Sequence, residues 1–490
     1  MTSSSHLDES FRAVARDRAD DVLVVAPSES QTRTARDIDR QADALMAALL
    51  ACGVATGHLI VASIGNVAAM PALVLACLRA GLPLMPVDRS TPAAELAAIA
   101  GRWDAAAVIV AAALDLSASV DPTAPASPPA WTRCAASDGL AAWVARPLPP
   151  PGRYGHAALL KLTSGSTGEP RATISEERHL IADVRHIAAA MDIGPRTRQL
   201  GVIPLSHSYG FSNLVLPLLW TGTPLLLRPQ FVPTQVAADV RSARLETFAG
   251  VPFMFDHLAR HQDLSGLESL RLVLSAGARL SFETVSAFHA ACGLKVRSFY
   301  GSSETGGICF DDSAALDPRV PVGRAMGATI VDLIDEADAP AGSGRVRVSG
   351  PNVIDRYAGD DGPGFAGVYL TGDYACLDDQ GVYTLTGRVP SVVNVAGRKV
   401  QPQEVEAALR DLPGVRDAVA MGVDDAVRGQ ALGACLVSDE TWDARTVRAA
   451  LAPRLAPHKL PRVVVVMRAL PLTDRGKVDR AAIARLLAGG

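Results

Sequence analysis

Eleven residues, Leu162 to Ala172, read Leu-Thr-Ser-Gly-Ser-Thr-Gly-Glu-Pro-Arg-Ala and hold four hydroxyl side chains, two glycines and one cation. Glycine lets backbone N–H groups converge on an oxyanion, the hydroxyls add donors, and Arg171 adds a full positive charge. A loop of this make-up suits the oxygens of a polyphosphate. It is not a Walker loop, because no Gly-x-x-x-x-Gly-Lys-Ser/Thr string occurs in the chain.

Residues that can do chemistry recur in order downstream. The blocks are Tyr300-Gly301-Ser302-Ser303-Glu304-Thr305-Gly306-Gly307, Tyr369-Leu370-Thr371-Gly372-Asp373, Gly387-Arg388, Gly397-Arg398-Lys399-Val400 with Glu404-Val405-Glu406, and Thr473-Asp474-Arg475-Gly476-Lys477. The whole series, with the loop before it, resembles the adenylate-forming superfamily of acyl-CoA and aryl-CoA synthetases, peptide-synthetase adenylation domains and luciferases. The resemblance spans nearly the whole chain.

That resemblance implies a reaction in which a carboxylate oxygen joins the α-phosphate of ATP and pyrophosphate leaves. Because anions are brought together, the site needs positive charge, oriented donors and a metal. On this reading Thr163, Ser164, Gly165, Ser166, Thr167, Gly168 and Arg171 hold the β- and γ-phosphates, with Arg171 standing where relatives usually carry Lys. Tyr300 would stack on adenine beside Gly301, Ser303 would reach the α-phosphate, and Glu304 is the expected Mg²⁺ ligand. Asp373 would accept both ribose hydroxyls after a tight turn, and Arg388 would touch ribose or phosphate. Lys477 would swing in to bind carboxylate and phosphate together. The acid pocket is expected near His207, Tyr209, Phe211, Phe253, Ser275, Ala276, Gly277 and Gly306. His207 has a second reading as a hydrogen-bonded core residue.

The elements that must position these groups alternate. Helical spacing over Ile38 to Leu50, a strand over His58 to Ile64, a helix over Ala69 to Arg79 closed by Gly81, and a strand over Leu84 to Val87 predict a parallel sheet covered by helices. Residues 112–153, rich in Ala, Ser and Pro, read as a loose connection with little core. A strand over Ala157 to Leu162 delivers the phosphate loop. The predicted fold class is α/β: a large N-terminal domain of parallel-type sheets with helices, spanning 1–387 with a β-rich subdomain at 320–387. A hinge at 388–391 and a small mobile α+β C-terminal domain at 392–490 follow.

Composition narrows the classes. With 49% hydrophobic and 20% charged residues the chain is an ordinary globular one, and a net charge of −4 offers nothing to nucleic acid or an anionic membrane. Seven cysteines without a C-x-x-C pair, and an N-terminus lacking a basic and apolar leader, predict a cytoplasmic protein with reduced thiols. The most apolar run, Phe211 to Leu227, is broken by Pro217, Gly222 and Pro224, so no membrane span is expected. Only 5 of 47 basic residues are Lys, so each invites a reason; Lys399 and Lys477 fall inside the blocks above.

Pro390 departs from the family pattern, where Asp or Lys is common at the hinge. Proline fixes φ near roughly −65° and restricts Val389. Either the swing of the C-terminal domain is impaired or moved to a neighbour, or the hinge tolerates the change. The expected activity is acyl- or aryl-AMP formation followed by transfer to the thiol of CoA or to the phosphopantetheine of a separate acyl carrier protein. Two rivals stand beside it: adenylation with an amine acceptor or of another oxyanion such as nitrite, and a catalytically silent nucleotide-binding homologue.

Overall fold

The computed structural model describes residues 6–114, 116, 130–137, 139–163, 171–261, 263–336, 339, 342–360, 364–388, 393–400, 402–425, 429–471 and 480–488. Two large sheets form its N-terminal part. Seven described strands pair in the order Ala130–Ser137, Leu140–Arg146, Ala105–Ala111, Leu59–Ser63, Leu84–Pro86, Ala157–Thr163 and Arg171–Glu176. Nine more run from Arg324–Ala325 through Gly306–Phe310, Val296–Ser302, Leu272–Ser275, Thr247–Gly250, Gln199–Gly201, Leu225–Leu227 and Val22–Ala26 to Gln31–Thr34. The inner strands are parallel, and Leu59–Ser63 is buried at every position, as a strand covered on both faces must be. Helix Glu177–Met191 packs against strands of both sheets, so residues on it stand at their junction.

The expectation for 112–153 is corrected. Leu140–Arg146 is buried at all but its last residue and pairs with Ala105–Ala111. Alanine is a poor strand former, so three alanines beside a proline-rich stretch hid a strand that burial dictates. Phe211 to Leu227 resolves into a π-helical turn Phe211–Val215, a short helix Leu216–Thr221 and the strand Leu225–Leu227. Among the described residues no helix is long and apolar enough to cross a membrane.

A four-stranded antiparallel sheet follows: Ile330–Ile334, Gly344–Ser349, Val368–Leu377 and Tyr383–Arg388. Asp373 lies within the third of these strands, not after a tight turn as expected. From Val393 onward the strands Val393–Val395, Arg398–Val400, Val415–Asp425, Gly429–Ser438 and Val463–Met467 form a sheet with its own core. Helices Pro402–Arg410 and Ala444–Leu451 cover one face, and Arg480–Ala488 covers the other with Ile483 and Leu487. Pro390 and the rest of the expected hinge from Val389 on lie outside the described residues.

Candidate active site

The expected phosphate loop joins two paired strands. Strands Ala157–Thr163 and Arg171–Glu176 are antiparallel, with Thr163 opposite Arg171, so the loop's two ends are pinned across one ladder rung. Ser164, Gly165, Ser166, Thr167 and Gly168 lie outside the described residues, as does Lys477. The second block is also a hairpin: Gly301 pairs with Gly307 and Ser302 with Gly306. A Cβ on Gly301 would collide with the Gly306 carbonyl oxygen, and Gly306 has φ +63° with the Asp183 carboxylate 2.5 Å from where its Cβ would lie. Glycine is required at both places.

These hairpins and the Val368–Leu377 strand open on one cavity of about 510 Å³. Its wall includes Thr163, Arg171, His207, Tyr209, Ala276, Gly277, Gly301, Ser303, Glu304, Gly306 and Asp373 from the expected set. Phe211, Phe253, Ser275 and Tyr300 of the expected set are not part of this wall. Phe211 is buried beneath the Lys161 ammonium, 5.5 Å from its ring, and Phe253 meets Phe231 edge to face. Tyr300 packs in the core of the antiparallel subdomain and donates its hydroxyl to Asp373 Oδ2 at 2.9 Å. It thereby fixes a carboxylate that faces the cavity. Arg388 is the Cα partner of Asp373 on the next strand.

Glu304 is only 7% exposed, yet it faces the cavity. Tyr357 donates to its Oε1 at 2.9 Å; burial, with Glu304 and Tyr369 alongside, pushes that phenol far above its ordinary range, so it stays a donor. The Arg171 guanidinium lies 4.8 Å from the Tyr357 ring centroid. Ser303 and Ser208 share a 2.7 Å hydroxyl–hydroxyl bond that joins the second block to the His207 segment. Sequence reasoning missed Tyr357, Phe365, Tyr369 and Arg345, which also line the cavity. The three rings meet edge to face at 5.2 and 5.1 Å; Tyr369 opens a block already noted in the sequence, whereas no local motif marks Tyr357 or Phe365.

Sequence reasoning also missed Lys161, 5% exposed and facing the carboxylates of Asp183 and Glu304. Asp183 accepts the Gly307 N–H at 2.8 Å, which ties helix Glu177–Met191 to the Glu304 hairpin. Burial pushes the lysine from 10.5 down to about 8, with Asp183 and Glu304 opposing. Between those values the unfolded chain binds a proton that the folded chain does not, so stability rises with pH there. Relative to Lys161→Met, the wild type should gain about 3 kcal/mol between pH 8 and 10.5. Urea midpoints for both proteins at pH 7.5 and 10.5 read this, and a constant difference between the two would contradict it.

The C-terminal part contributes Gly397 and Lys399 to the cavity wall. It is held there by contacts across the junction. Asn394 Nδ2 donates to the Gly277 carbonyl, and Arg398 lies 3.2 Å from Asp88 Oδ2, which also faces His207 Nε2 at 3.7 Å. Burial alone would raise the Asp88 carboxyl; His207, Arg398 and Ser90 outweigh it and hold it well below the usual range. His458 accepts from Arg398 at 3.2 Å, and burial beside Arg398 and Lys459 pushes its imidazole down to about 3, so it stays neutral. Lys459 bridges Glu95 at 2.9 Å and Glu404 at 2.7 Å, both largely buried. Lys459→Met should leave two carboxylates facing each other and cost about 3 kcal/mol. A melting temperature within a degree of wild type would refute the bridge's importance.

Magnesium fits this wall only in company. Among the described residues no three His, Cys, Asp or Glu side chains cluster to hold a metal. Glu304 and Asp373 are the carboxylates of the described cavity wall, and Mg²⁺ is commonly held by one or two carboxylates plus phosphate oxygens.

A family profile described as AMP-binding enzyme matches residues 11–358, and one described as AMP-binding enzyme C-terminal domain matches 404–477. The chain is 30% identical over 349 residues to the sulfoacetate–CoA ligase of Cupriavidus necator, covering 69% of this chain and 68% of that one. It is 27% identical over 338 residues to the long-chain-fatty-acid–CoA ligase of Bacillus subtilis, covering 66% of this chain but only 60% of that protein. Its fold matches the amide bond synthetase McbA of Marinactinospora thermotolerans with a TM-score of 0.81 at 24% identity, covering 98% and 99% of the two chains.

Proposed function

The chain belongs to the AMP-binding enzyme family, and from that premise we propose that it is an ATP-dependent ligase that activates a carboxylic acid as its acyl-AMP. The carboxylate oxygen attacks the α-phosphorus and the bond to the β-phosphate oxygen breaks, releasing pyrophosphate. A thiolate then attacks the acyl carbon and AMP leaves; the thiol's proton goes to solvent.

Thr163 and Arg171 hold the triphosphate at the mouth of the loop hairpin, and Ser303 donates toward the α-phosphate. Glu304, kept in place by Tyr357, would hold Mg²⁺, which would neutralise phosphate charge when bound. Asp373, fixed by Tyr300, accepts the ribose hydroxyls, and Arg388 opposite it assists. His207, Tyr209, Ala276, Gly277 and Gly306 border the acid. Lys477 supplies the charge that stabilises the attacking carboxylate, from a segment on the far side of the 388–391 hinge. CoA is the favoured acceptor because the curated relatives are named as CoA ligases. A pantetheine thiol on a carrier protein has the same chemistry.

The observation that carries this reading is convergence: Arg171, Glu304 and Asp373 lie on three hairpins remote in sequence, yet face one cavity. The test is product analysis with Mg²⁺, ATP and a panel of aliphatic, aromatic and amino acids plus nitrite, each with and without CoA. AMP and pyrophosphate that become catalytic only with CoA are expected. ADP and phosphate would overturn the reading. AMP formed at equal rates without CoA would move the acyl group to another acceptor, such as an amine or a carrier protein.

A further inference from the structure

Three walls of the cavity meet on a carboxylate that is not itself part of the wall. Asp183, on helix Glu177–Met191, is only 3% exposed. Its Oδ1 accepts the Gly307 N–H at 2.8 Å, from the hairpin that carries Glu304. The Ser212 hydroxyl donates to the same carboxylate from the π-helical turn that follows His207 and Ser208. The Lys161 ammonium faces it from the strand Ala157–Thr163. Lys161 and Thr163 are two residues apart on that strand and so share a face, and Thr163 borders the cavity where the expected phosphate loop begins.

Each contact alone is an ordinary buried interaction; together they fix a spacing. A Mg²⁺ ion on Glu304 must also reach phosphate oxygens beside Thr163 and Arg171, and its bonds of about 2.0–2.1 Å in octahedral geometry tolerate little error. The Glu304 hairpin is secured on both flanks. Tyr357 secures one: its hydroxyl binds Glu304, and its backbone bridges Thr173 on the strand Arg171–Glu176. Asp183 secures the other at Gly307, and against Gly306 it leaves no room for a methyl group, so a change at this carboxylate is felt directly by the hairpin.

We infer that Asp183 is a positioning residue for metal and nucleotide: through Gly307 and Lys161 it sets the spacing between Glu304 and the strand that delivers the phosphate loop. This rests on the adenylation reading above and adds a residue on which the reaction depends without contact to substrate. Groups that orient a metal ligand matter about 10–100-fold in metal affinity or activity.

The experiment separates the hydrogen bond from the buried charge, with the full-length protein. Asp183→Ala is compared with Asp183→Asn, each combined with Lys161→Met so that no buried ammonium is left unpaired. Asn keeps an oxygen for the Gly307 N–H; Ala does not. The Mg²⁺ concentration at which ATP raises the melting temperature reads binding, and pyrophosphate release reads turnover. The Ala pair should need about tenfold more Mg²⁺ and lose about tenfold or more in kcat, while the Asn pair stays within about threefold of wild type on both. If the Ala pair does not fold, Asp183→Leu with Lys161→Met, which fills the space, is read by the same criteria. A pair without the acceptor that binds and turns over like the wild type overturns the inference, and so does an Asn pair equally impaired; adenylation stands in both cases. A wild type that neither binds ATP with Mg²⁺ nor releases pyrophosphate overturns the adenylation reading and this inference with it.

Discussion

Glu304→Gln should lower pyrophosphate release by about 10²-fold or more, since a metal ligand or a positioned charge at a phosphoryl centre is worth several kcal/mol. The substitution keeps the shape and the bond from Tyr357, so the fold should survive. What it removes is a buried carboxylate aimed at the cavity beside Thr163, Arg171 and Ser303. The loss should be partly recovered at high Mg²⁺, which identifies the carboxylate as a metal ligand rather than a structural acid. Activity within threefold of wild type at every Mg²⁺ concentration would remove Glu304 from the mechanism.

Gly301→Ala should be nearly as damaging, by a different route. The added methyl must push against the Gly306 carbonyl oxygen across the hairpin that carries Glu304, and backbone cannot give way as a side-chain tip can. Overpacking of this kind costs about 1–3 kcal/mol, and a catalytic group displaced by about 1 Å loses about 10²-fold in rate. The expected signature is a melting temperature lowered by several degrees together with a kcat loss that added Mg²⁺ does not rescue. That failure of rescue separates it from Glu304→Gln. A variant that melts and turns over like wild type would show that the hairpin absorbs the methyl and does not fix Glu304.

The parts of the site legible in the sequence are those whose chemistry is local. Tyr300 to Gly307 announces itself because a tight hairpin tip needs glycine, and Thr163 to Arg171 was noticed for its glycines and hydroxyls, a composition suited to an anion. The parallel sheets were legible because buried strands are apolar throughout and helices between them repeat at their own period. Leu140–Arg146 was not, since its alanines are poor strand formers and its burial is decided by a neighbour over thirty residues away, Ala105–Ala111. Tyr357, Phe365 and Lys161 were missed for the same reason: their placement follows from which strands pair, and nothing beside them in sequence records it. Lys161 did leave a trace, the scarcity of lysine, because burial facing two carboxylates gives one of the five lysines a reason. Phe211 and Phe253 were expected at the pocket on motif position alone, yet Phe211 is buried in the core and Phe253 packs edge to face against Phe231.

The central claim is that a carboxylate oxygen attacks the α-phosphorus of ATP. It is tested most directly by labelling the carboxylate of whichever acid supports pyrophosphate release with ¹⁸O and analysing the nucleotide after transfer to the acceptor. The account predicts one ¹⁸O in AMP and none in pyrophosphate. Label in phosphate, or AMP formed without label, would contradict it.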